Sequence, residues 1–226
     1  MKMFEFELDS YLLKNIPGAI RGKKDIIVLL LVTLQNILVK PLLTKDEVKL
    51  KIVINKMSRI FYHTPDKIIS IVMPFPVKKE GNEIKIYDKV DKSLEINSKI
   101  LNNLLYIIMS FDNLGDCDLS ETIDSFFEEE GIGASERSYL KRLVYELILT
   151  EYGYLRYEDD IEHENGDRHP RYHLDINATT DATFKVGLNE KMDLTSFIDI
   201  LDITTDCKYL HKRLKPSKPK KNLAKI

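Results

Sequence analysis

The order of predicted elements between residues 98 and 176 limits the folds open to this chain more than any other feature of its sequence. Apolar residues recur at intervals of three and four in three successive segments, which predicts three helices. These segments are residues 98–112, 119–130 and 136–151. Two predicted strands follow, 154–157 and 171–176, with the polar loop 158–168 between them. The expected order is helix, helix, turn, helix, strand, loop, strand.

Local signals mark the ends of these helices. Asp118 and Glu121 form a D-x-x-E cap at the start of the second helix. Ser135 can cap the third helix by accepting a hydrogen bond from a free backbone N–H. Gly153 stands where a left-handed residue commonly ends a helix, so the three-helix interpretation agrees with its flanking residues.

This pattern resembles the winged-helix superfamily. The stretch SERSYLKRLVYELILTEYGYLRYED, followed after the loop by RYHLDI, carries the resemblance, which covers about 80 residues. It implies a helix-turn-helix in which the third helix reads a DNA groove and the 154–176 hairpin is the wing. The expected fold class is mainly α with small β-hairpins (α+β), built on a winged helix.

The N-terminal region begins with two predicted helices. Residues 25–40 are apolar on nearly every side and predict a buried helix. A T-x-x-E capping box at Thr44 and Glu47 opens a second predicted helix over residues 45–62. At nine residues, the most apolar run, 26–34, is too short for the roughly 20 residues of a membrane span.

A hairpin is predicted over residues 77–89. Gly81 and Asn82 supply the positive φ angles of a tight turn, and isoleucines alternate with polar residues after them. Two helices followed by a hairpin leave open a second, degenerate winged helix over residues 24–90, in tandem with the first.

The sequence divides into three regions and an arm. They are an N-terminal helical domain with a hairpin (1–92), the winged-helix domain (97–177), a C-terminal extension (178–214) and a basic arm (215–226). The extension holds an amphipathic helix that begins near Asp193. Prolines and lysines in the arm cannot build a core, so a flexible segment is expected there.

Charge is strongly polarised along the chain. Residues 208–226 carry eight Lys and Arg side chains and no acidic one, which leaves 26 basic against 36 acidic residues in 1–207. The body therefore sums to −10 and the basic segment to +8. An acidic body with a basic arm favours a polyanionic partner, most often nucleic acid.

The third predicted helix presents a polar face that could enter a major groove. Its candidate contact residues are Arg137, Ser138, Lys141, Arg142 and Tyr145. In the extension and arm, the candidate phosphate contacts are Lys212, Arg213, Lys215, Lys218, Lys220 and Lys221. Arg and Lys reach phosphates or guanine edges, and Tyr reaches a phosphate. A solvated helix face that carries basic residues by chance is the alternative.

The predicted wing argues against contact with DNA, because it is acidic. Its carboxylates are Glu158, Asp159, Asp160, Glu162, Glu164 and Asp167. Three histidines lie in or beside it: His163, His169 and His173. Imidazoles beside carboxylates admit a site for Zn, Ni or Mn, but their spacing matches no known metal motif. We expect a plain polar loop, with no metal and no other cofactor.

The sequence shows no nucleotide-binding, hydrolase or metalloprotease motif. Two cysteines 90 residues apart and no secretory signal predict a cytoplasmic protein with free thiols. The leading expectation is a non-enzymatic, regulatory or accessory DNA-binding protein, in which the third helix is the reader and the basic arm adds phosphate affinity. No membrane and no small-molecule substrate is expected.

A protein-interaction subunit is the alternative function. Acidic chains with two winged-helix units resemble the kleisin-interacting (KITE-type) subunits of SMC-like complexes, which bind a linker protein and usually form homodimers. Size, charge and tandem order carry this resemblance, which implies a protein partner or a homodimer. It would account for the acidic wing, and the apolar 26–34 run could lie in the dimer interface.

Overall fold

The computed structural model describes most of the chain. The described residues are 2–7, 20–39, 49–54, 57–81, 83–111, 114, 119–177 and 184–208. Within them the chain forms nine strands, five α-helices and one short 3-10 helix at 166–168. The described helices include none that is both long and apolar enough to cross a bilayer.

The elements follow one another from strand to helix and back. The strands are β1 (Lys2–Glu7), β2 (Lys49–Ile54), β3 (Arg59–His63), β4 (Lys67–Val72), β5 (Val77–Glu80), β6 (Glu83–Ile86), β7 (Leu155–Asp159), β8 (Tyr172–Ile176) and β9 (Phe184–Gly187). The helices are α1 (Lys23–Val39), α2 (Ser98–Ser110), α3 (Leu119–Glu129), α4 (Ala134–Leu149) and α5 (Leu194–Leu201).

Seven of the strands form one antiparallel sheet. Their order is β1-β2-β3-β4-β7-β8-β9, and β5 pairs with β6 in a separate hairpin. The central pairing joins residues 67–70 of β4 to residues 155–158 of β7. The two ends of the chain therefore share a sheet, and the pairing crosses the boundary that the sequence places at 92–97.

Both faces of this sheet are buried. Successive residues of a strand point to opposite faces, so Ile69 of β4 belongs to one core and Ile68 to the other. On the first face, the side of Ile69, helices α1 to α4 build the larger core. On the second face, the side of Ile68, α5 covers the sheet with its buried Phe197.

Helix α1 confirms the predicted buried helix. Eight of its residues are buried, because apolar side chains surround it on nearly every side. Its one buried hydroxyl, on Thr33, donates to the Leu29 carbonyl at 2.7 Å and lies 2.9 Å from the Tyr62 hydroxyl. The pair satisfies both polar groups and links α1 to β3.

The predicted helix over residues 45–62 is wrong. Residues 49–54 and 59–63 form β2 and β3, while Thr44 and Glu47 lie outside the described residues. β3 is buried on both faces, and the apolar runs 52–54 and 60–62 contain no alternating polar residue. A short apolar run without a clear period is compatible with a helix or with a strand.

The winged-helix fold is also wrong. The 154–176 hairpin is the middle of a seven-stranded sheet, because β7 also pairs with β4 and β8 also pairs with β9. Residues 49–72, in the proposed second copy, supply three more strands of that sheet. The fold is therefore an α+β arrangement around a large antiparallel sheet, and "mainly α" does not describe it.

Individual elements are predicted better than their assembly. Helices α2, α3 and α4 confirm the three predicted helices, and α5 begins after Asp193, whose side chain accepts from the Ser196 N–H at 2.7 Å. The predicted hairpin is β5–β6, with Gly81 at φ +61°. Asn82 and Asp118 lie outside the described residues.

Two predicted helix-end roles on α4 are wrong. Its N-cap is Gly133, not Ser135, and no side chain caps it. Gly153 has a positive φ of 50°, but the helix has already ended at Leu149. The left-handed turn at Gly153 instead points its carbonyl at the buried guanidinium of Arg59, whose pKa burial lowers to about 10.

Candidate functional site

The candidate reader residues on α4 bind neighbouring parts of the fold. Arg137 donates to the carbonyls of Phe127 (3.1 Å), in the last turn of α3, and of Ile132 (2.6 Å), just after that helix. Lys141 lies 3.0 Å from the Asp124 carboxylate on α3. These two cations therefore hold α4 against α3.

Arg142 contacts a buried carboxylate. It pairs with Asp88, which is fully buried and also accepts from the backbone N–H groups of Val90 (2.7 Å) and Asp91 (2.8 Å). Burial alone would raise the pKa of Asp88, but these hydrogen bonds hold that pKa below its ordinary value. Arg142 thus fastens α4 to the segment after the β5–β6 hairpin.

Two candidate residues on α4 remain exposed, Ser138 and Tyr145. Because the three cations of α4 have partners within the fold, this helix offers little free positive charge. Its contact with DNA stays a prediction. The other candidates, Lys212, Arg213, Lys215, Lys218, Lys220 and Lys221, lie outside the described residues. Lys208, the first basic residue of the segment, pairs with Asp199 at 2.6 Å.

Charged side chains and one imidazole replace the apolar core on one part of the first face. Six of them form two rows across the strands, in which directly paired residues lie side by side. The rows are Lys67–Glu158–His173 and Arg156–Asp175–Lys185. Strands β4, β7, β8 and β9 supply them, and we call this set the charged rows.

Charges alternate within and between the rows. Lys67 Nζ lies 3.2 Å from Glu158 Oε1, and Arg156 Nη2 lies 3.2 Å from Glu158 Oε2. Arg156 also pairs with Asp175, whose second oxygen, Oδ1, is 3.6 Å from Lys185 Nζ. The Glu158 and Asp175 side chains are only 10% and 2% exposed, so these are desolvated ion pairs.

His173 sits at the centre of the charged rows and is completely buried. Its Nδ1 lies 2.9 Å from the Pro170 carbonyl oxygen, which can only accept, so Nδ1 carries the hydrogen. The other nitrogen, Nε2, lies 3.3 Å from Glu158 Oε2 and 3.2 Å from Lys185 Nζ. His173 therefore presents a lone pair to the interior of the cluster.

Residues 160–171 fold over this part of the sheet. The His169 ring packs edge-on against His173, with ring centroids 4.9 Å apart. Asp160 lies 2.9 Å from His163 Nδ1 and 3.2 Å from His169 Nε2. Burial opposes ionisation of Asp160, but hydrogen bonds from His163 and the two imidazole charges lower its pKa to about 2. The same hydrogen bond raises the pKa of His163.

A cleft of about 520 Å³ lies between this segment and the charged rows. Its walls are Asp66, Lys67, Arg156, Glu158, Asp159, Asp160, Ile161, Glu162, His163, His169 and Lys185. The acidic side chains on its rim are partly neutralised, since Asp159 pairs with Arg171 at 2.6 Å and with Lys191 at 3.1 Å. The cleft therefore brings cations, carboxylates and imidazoles to one place.

The sequence predicts the acidic and histidine-rich character of this segment but not the site. It assigns Glu158 to a solvated loop, which is wrong: Glu158 is a buried residue of β7. One signal was present, because Arg156 and Glu158 alternate with Leu155 and Tyr157 along the strand. Such alternation shows a polar face, but it does not show which strands lie beside it.

Comparison with known proteins adds nothing to this picture. No family model, curated protein or solved structure matches the chain. The winged-helix and KITE-type resemblances are not tested by that result.

Proposed function

We propose that the protein processes nucleic acid, binding a phosphodiester group in the cleft and hydrolysing it by acid–base chemistry. The charged rows are the observation that carries this proposal. Burying an ion costs several kcal/mol, and apolar side chains would stabilise the same sheet at least as well. Buried charges that lie together beside a cleft are candidates for a functional site. The sequence-based expectation of a non-enzymatic protein stays a prediction.

The cations of the cleft suit a phosphodiester. Lys67, Arg156 and Lys185 come from three strands and line the same cleft. Fixed cations stabilise the negative charge that a phosphoryl group spreads over its oxygens in the transition state. Within the charged rows they outnumber the two carboxylates by one, whereas the acidic side chains of the cleft lining, Asp66, Asp159, Asp160 and Glu162, oppose an anion.

Two groups in the cleft can move protons. Glu158 can take a proton from the attacking water, while His169, whose Nε2 lies 3.2 Å from the Asp160 carboxylate, can give one to the leaving oxygen. The water oxygen bonds to phosphorus as the bond to the leaving oxygen breaks. The water proton passes to Glu158 and the imidazolium proton to the leaving group, so charge and atoms balance.

The basic segment 208–226 supports nucleic acid as the source of the phosphate. Its eight cations supply non-specific attraction, and each neutralised phosphate makes binding weaken more steeply with salt. A nucleic acid held in this way would be concentrated at the protein. Binding to DNA through the folded body and this segment is part of the proposal.

Cleavage of labelled oligonucleotides tests the proposal. Single- and double-stranded DNA and RNA are incubated with the full chain, with and without divalent cations, and resolved on denaturing gels. We expect cleavage of at least one substrate and a roughly 100-fold slower rate for Glu158→Gln. Glu128→Gln, an exposed carboxylate on α3, is the matched control. No cleavage of any substrate, or equal rates for both variants, would contradict it.

A protein-docking role is the second candidate, and an apolar groove on α2 favours it. The groove of about 430 Å³ is lined by Asn102, Leu105, Tyr106, Met109 and Ser110. Tyr106 and Met109 are 57% and 60% exposed, which is high for large apolar side chains on one helix. Light scattering is expected to show a dimer that Tyr106→Ser/Met109→Ser converts to a monomer. A monomeric wild type at micromolar concentration would remove this candidate.

A further inference from the structure

We infer that Glu158, His173 and Asp175 form a binding site for a divalent transition-metal ion. Each residue contributes one donor atom, and the three atoms lie within 4.8 Å of one another. This inference names a cofactor of the proposed site; in the ion-bound form Glu158 would be a ligand, and activation of the attacking water would fall to the ion. The role of the ion rests on the proposed function, but its binding does not.

The orientation of His173 points to a cation. Its Nδ1–H donates to the Pro170 carbonyl at 2.9 Å, which leaves Nε2 as a lone-pair donor facing Glu158 Oε2 at 3.3 Å. Two acceptors at that distance repel unless a positive charge lies close to them, and here Lys185 Nζ, 3.2 Å from Nε2, supplies one. Metal-binding histidines are commonly fixed by such a hydrogen bond on the other ring nitrogen.

Asp175 supplies an independent observation. It is 2% exposed, and its buried Oδ1 makes no hydrogen bond to any described residue. A carboxylate oxygen removed from water needs a hydrogen bond or a positive partner. Lys185 Nζ lies 3.6 Å from this oxygen, and Arg156 contacts the other oxygen of the same carboxylate.

The Lys185 ammonium marks the place of the ion. Its Nζ lies 3.2 Å from His173 Nε2 and 3.6 Å from Asp175 Oδ1, so it is a monovalent cation among the proposed ligands. The Lys185 side chain is 41% exposed on edge strand β9 and can move into solvent. A divalent ion that bonds directly to these ligands would then take its place.

The other cations of the charged rows are compatible with a bound ion. Lys67 contacts Oε1 of Glu158, whereas Oε2 of the same carboxylate faces His173. Arg156 contacts the Oδ2 side of Asp175 and leaves Oδ1 unbonded. Lys67 and Arg156 can therefore remain as partners that orient the ligating carboxylates.

The donor set indicates the class of ion. One imidazole nitrogen and two carboxylate oxygens suit Mn²⁺, Fe²⁺ or Zn²⁺, whereas Ca²⁺ takes six to eight oxygens. Three protein ligands leave coordination positions for water or a phosphate oxygen. Such an ion would also reduce the repulsion between the acidic rim of the cleft and an anionic substrate.

A Mn²⁺ titration of the full chain, after dialysis against a chelator, tests the inference. Electron paramagnetic resonance measures free Mn²⁺, calorimetry measures the affinity, and Zn²⁺ serves as competitor. We expect one ion per chain, roughly 10-fold tighter binding by Lys185→Ala, and at least roughly 10-fold weaker binding by Glu158→Gln. Lys79→Ala and Glu128→Gln, both at exposed positions outside the cleft, should bind like wild type.

Lys185→Ala carries the test, because replacing the completely buried His173 can unfold the chain. Failure of both wild type and Lys185→Ala to bind Mn²⁺ or Zn²⁺ at about 1 mM would overturn the inference. Unchanged affinity in Glu158→Gln would do the same. Cleavage by a protein that binds no metal would overturn the inference and leave the proposed function standing. Binding of one Mn²⁺ per chain without cleavage would support the inference and contradict the proposed function.

Discussion

Helix α5 packs on the sheet through one completely buried side chain and several partly buried ones, and removal of the buried one should be costly. Phe197 is the only buried residue of the eight in α5. Its ring meets that of Phe61 edge-on, at 6.2 Å between centroids and 86° between planes. Phe197→Ala therefore removes the central contact of the second face.

The expected loss can be worked from these contacts. Truncation of a buried Phe to Ala costs about 3–5 kcal/mol, of which the aromatic pair supplies about 0.5–1.5 kcal/mol. The variant could release this short helix from the sheet instead of keeping a cavity. The free energy needed to detach α5 therefore limits how much stability the substitution can cost. We therefore expect the lower end of the range, about 3 kcal/mol.

Urea unfolding followed by circular dichroism measures this loss. Ile203→Ala, at a residue that is 80% exposed just beyond α5, is the control and should change the free energy of unfolding by less than about 0.5 kcal/mol. Backbone amide hydrogen exchange in α5 should also be faster in Phe197→Ala than in the wild type. A loss below about 1 kcal/mol would refute the view that α5 closes the second face.

Three further predictions concern single polar or backbone features. Tyr62→Phe should lower the free energy of unfolding by about 1 kcal/mol in urea, because it leaves the buried Thr33 hydroxyl with one partner fewer; an unchanged value would count against this bond. Asp88→Asn should lower it by about 2 kcal/mol at neutral pH. The folded-state pKa of Asp88 is depressed, so the ionised carboxylate stabilises the fold above the unfolded pKa of about 3.9, and this stabilisation is lost as the pH falls below that value. A difference in the free energy of unfolding between wild type and variant that persists in acid would contradict this. Gly153→Ala should lower Tm by about 2–6 °C, because φ is +50° there and a Cβ would lie 3.2 Å from Arg59; an unchanged or raised Tm would show that the turn tolerates a side chain.

Helices could be predicted from this sequence because their signals are local. The apolar residues of α2 and α4 recur at helical spacing, and Asp193 caps α5 within three residues of its start. The β5–β6 hairpin is equally local, since Gly81 supplies its turn. Each of these elements can be recognised within about fifteen residues of sequence.

The sheet could not be predicted in the same way. Strand β3 is buried on both faces and the apolar run 52–54 of β2 is continuous, which weakens the alternation that separates strands from helices. The pairing of β4 with β7 joins residues 67–70 to 155–158, and no local signal specifies that choice. Without it, β7 and β8 look like an isolated hairpin, which led to the winged-helix prediction.

The charged rows depend on the same distant pairing. The alternation around Arg156 and Glu158 is visible in the sequence, as are the histidines and acidic residues that follow. Their convergence needs Lys67 from β4 on one side and Lys185 from β9 on the other. The residue types of the site could therefore be predicted from the sequence, but their arrangement in space could not.

Nuclear magnetic resonance mapping tests the location of the site most directly. An ¹⁵N-labelled full chain is titrated with a short, non-cleavable oligonucleotide, and backbone amide shifts are followed. We predict the largest shifts around the cleft, at Arg156, Glu158, His169 and Lys185, in addition to any in the basic segment. Shifts confined to the exposed face of α4 around Ser138 and Tyr145, with the cleft unchanged, would contradict the assignment and restore α4 as the contact surface.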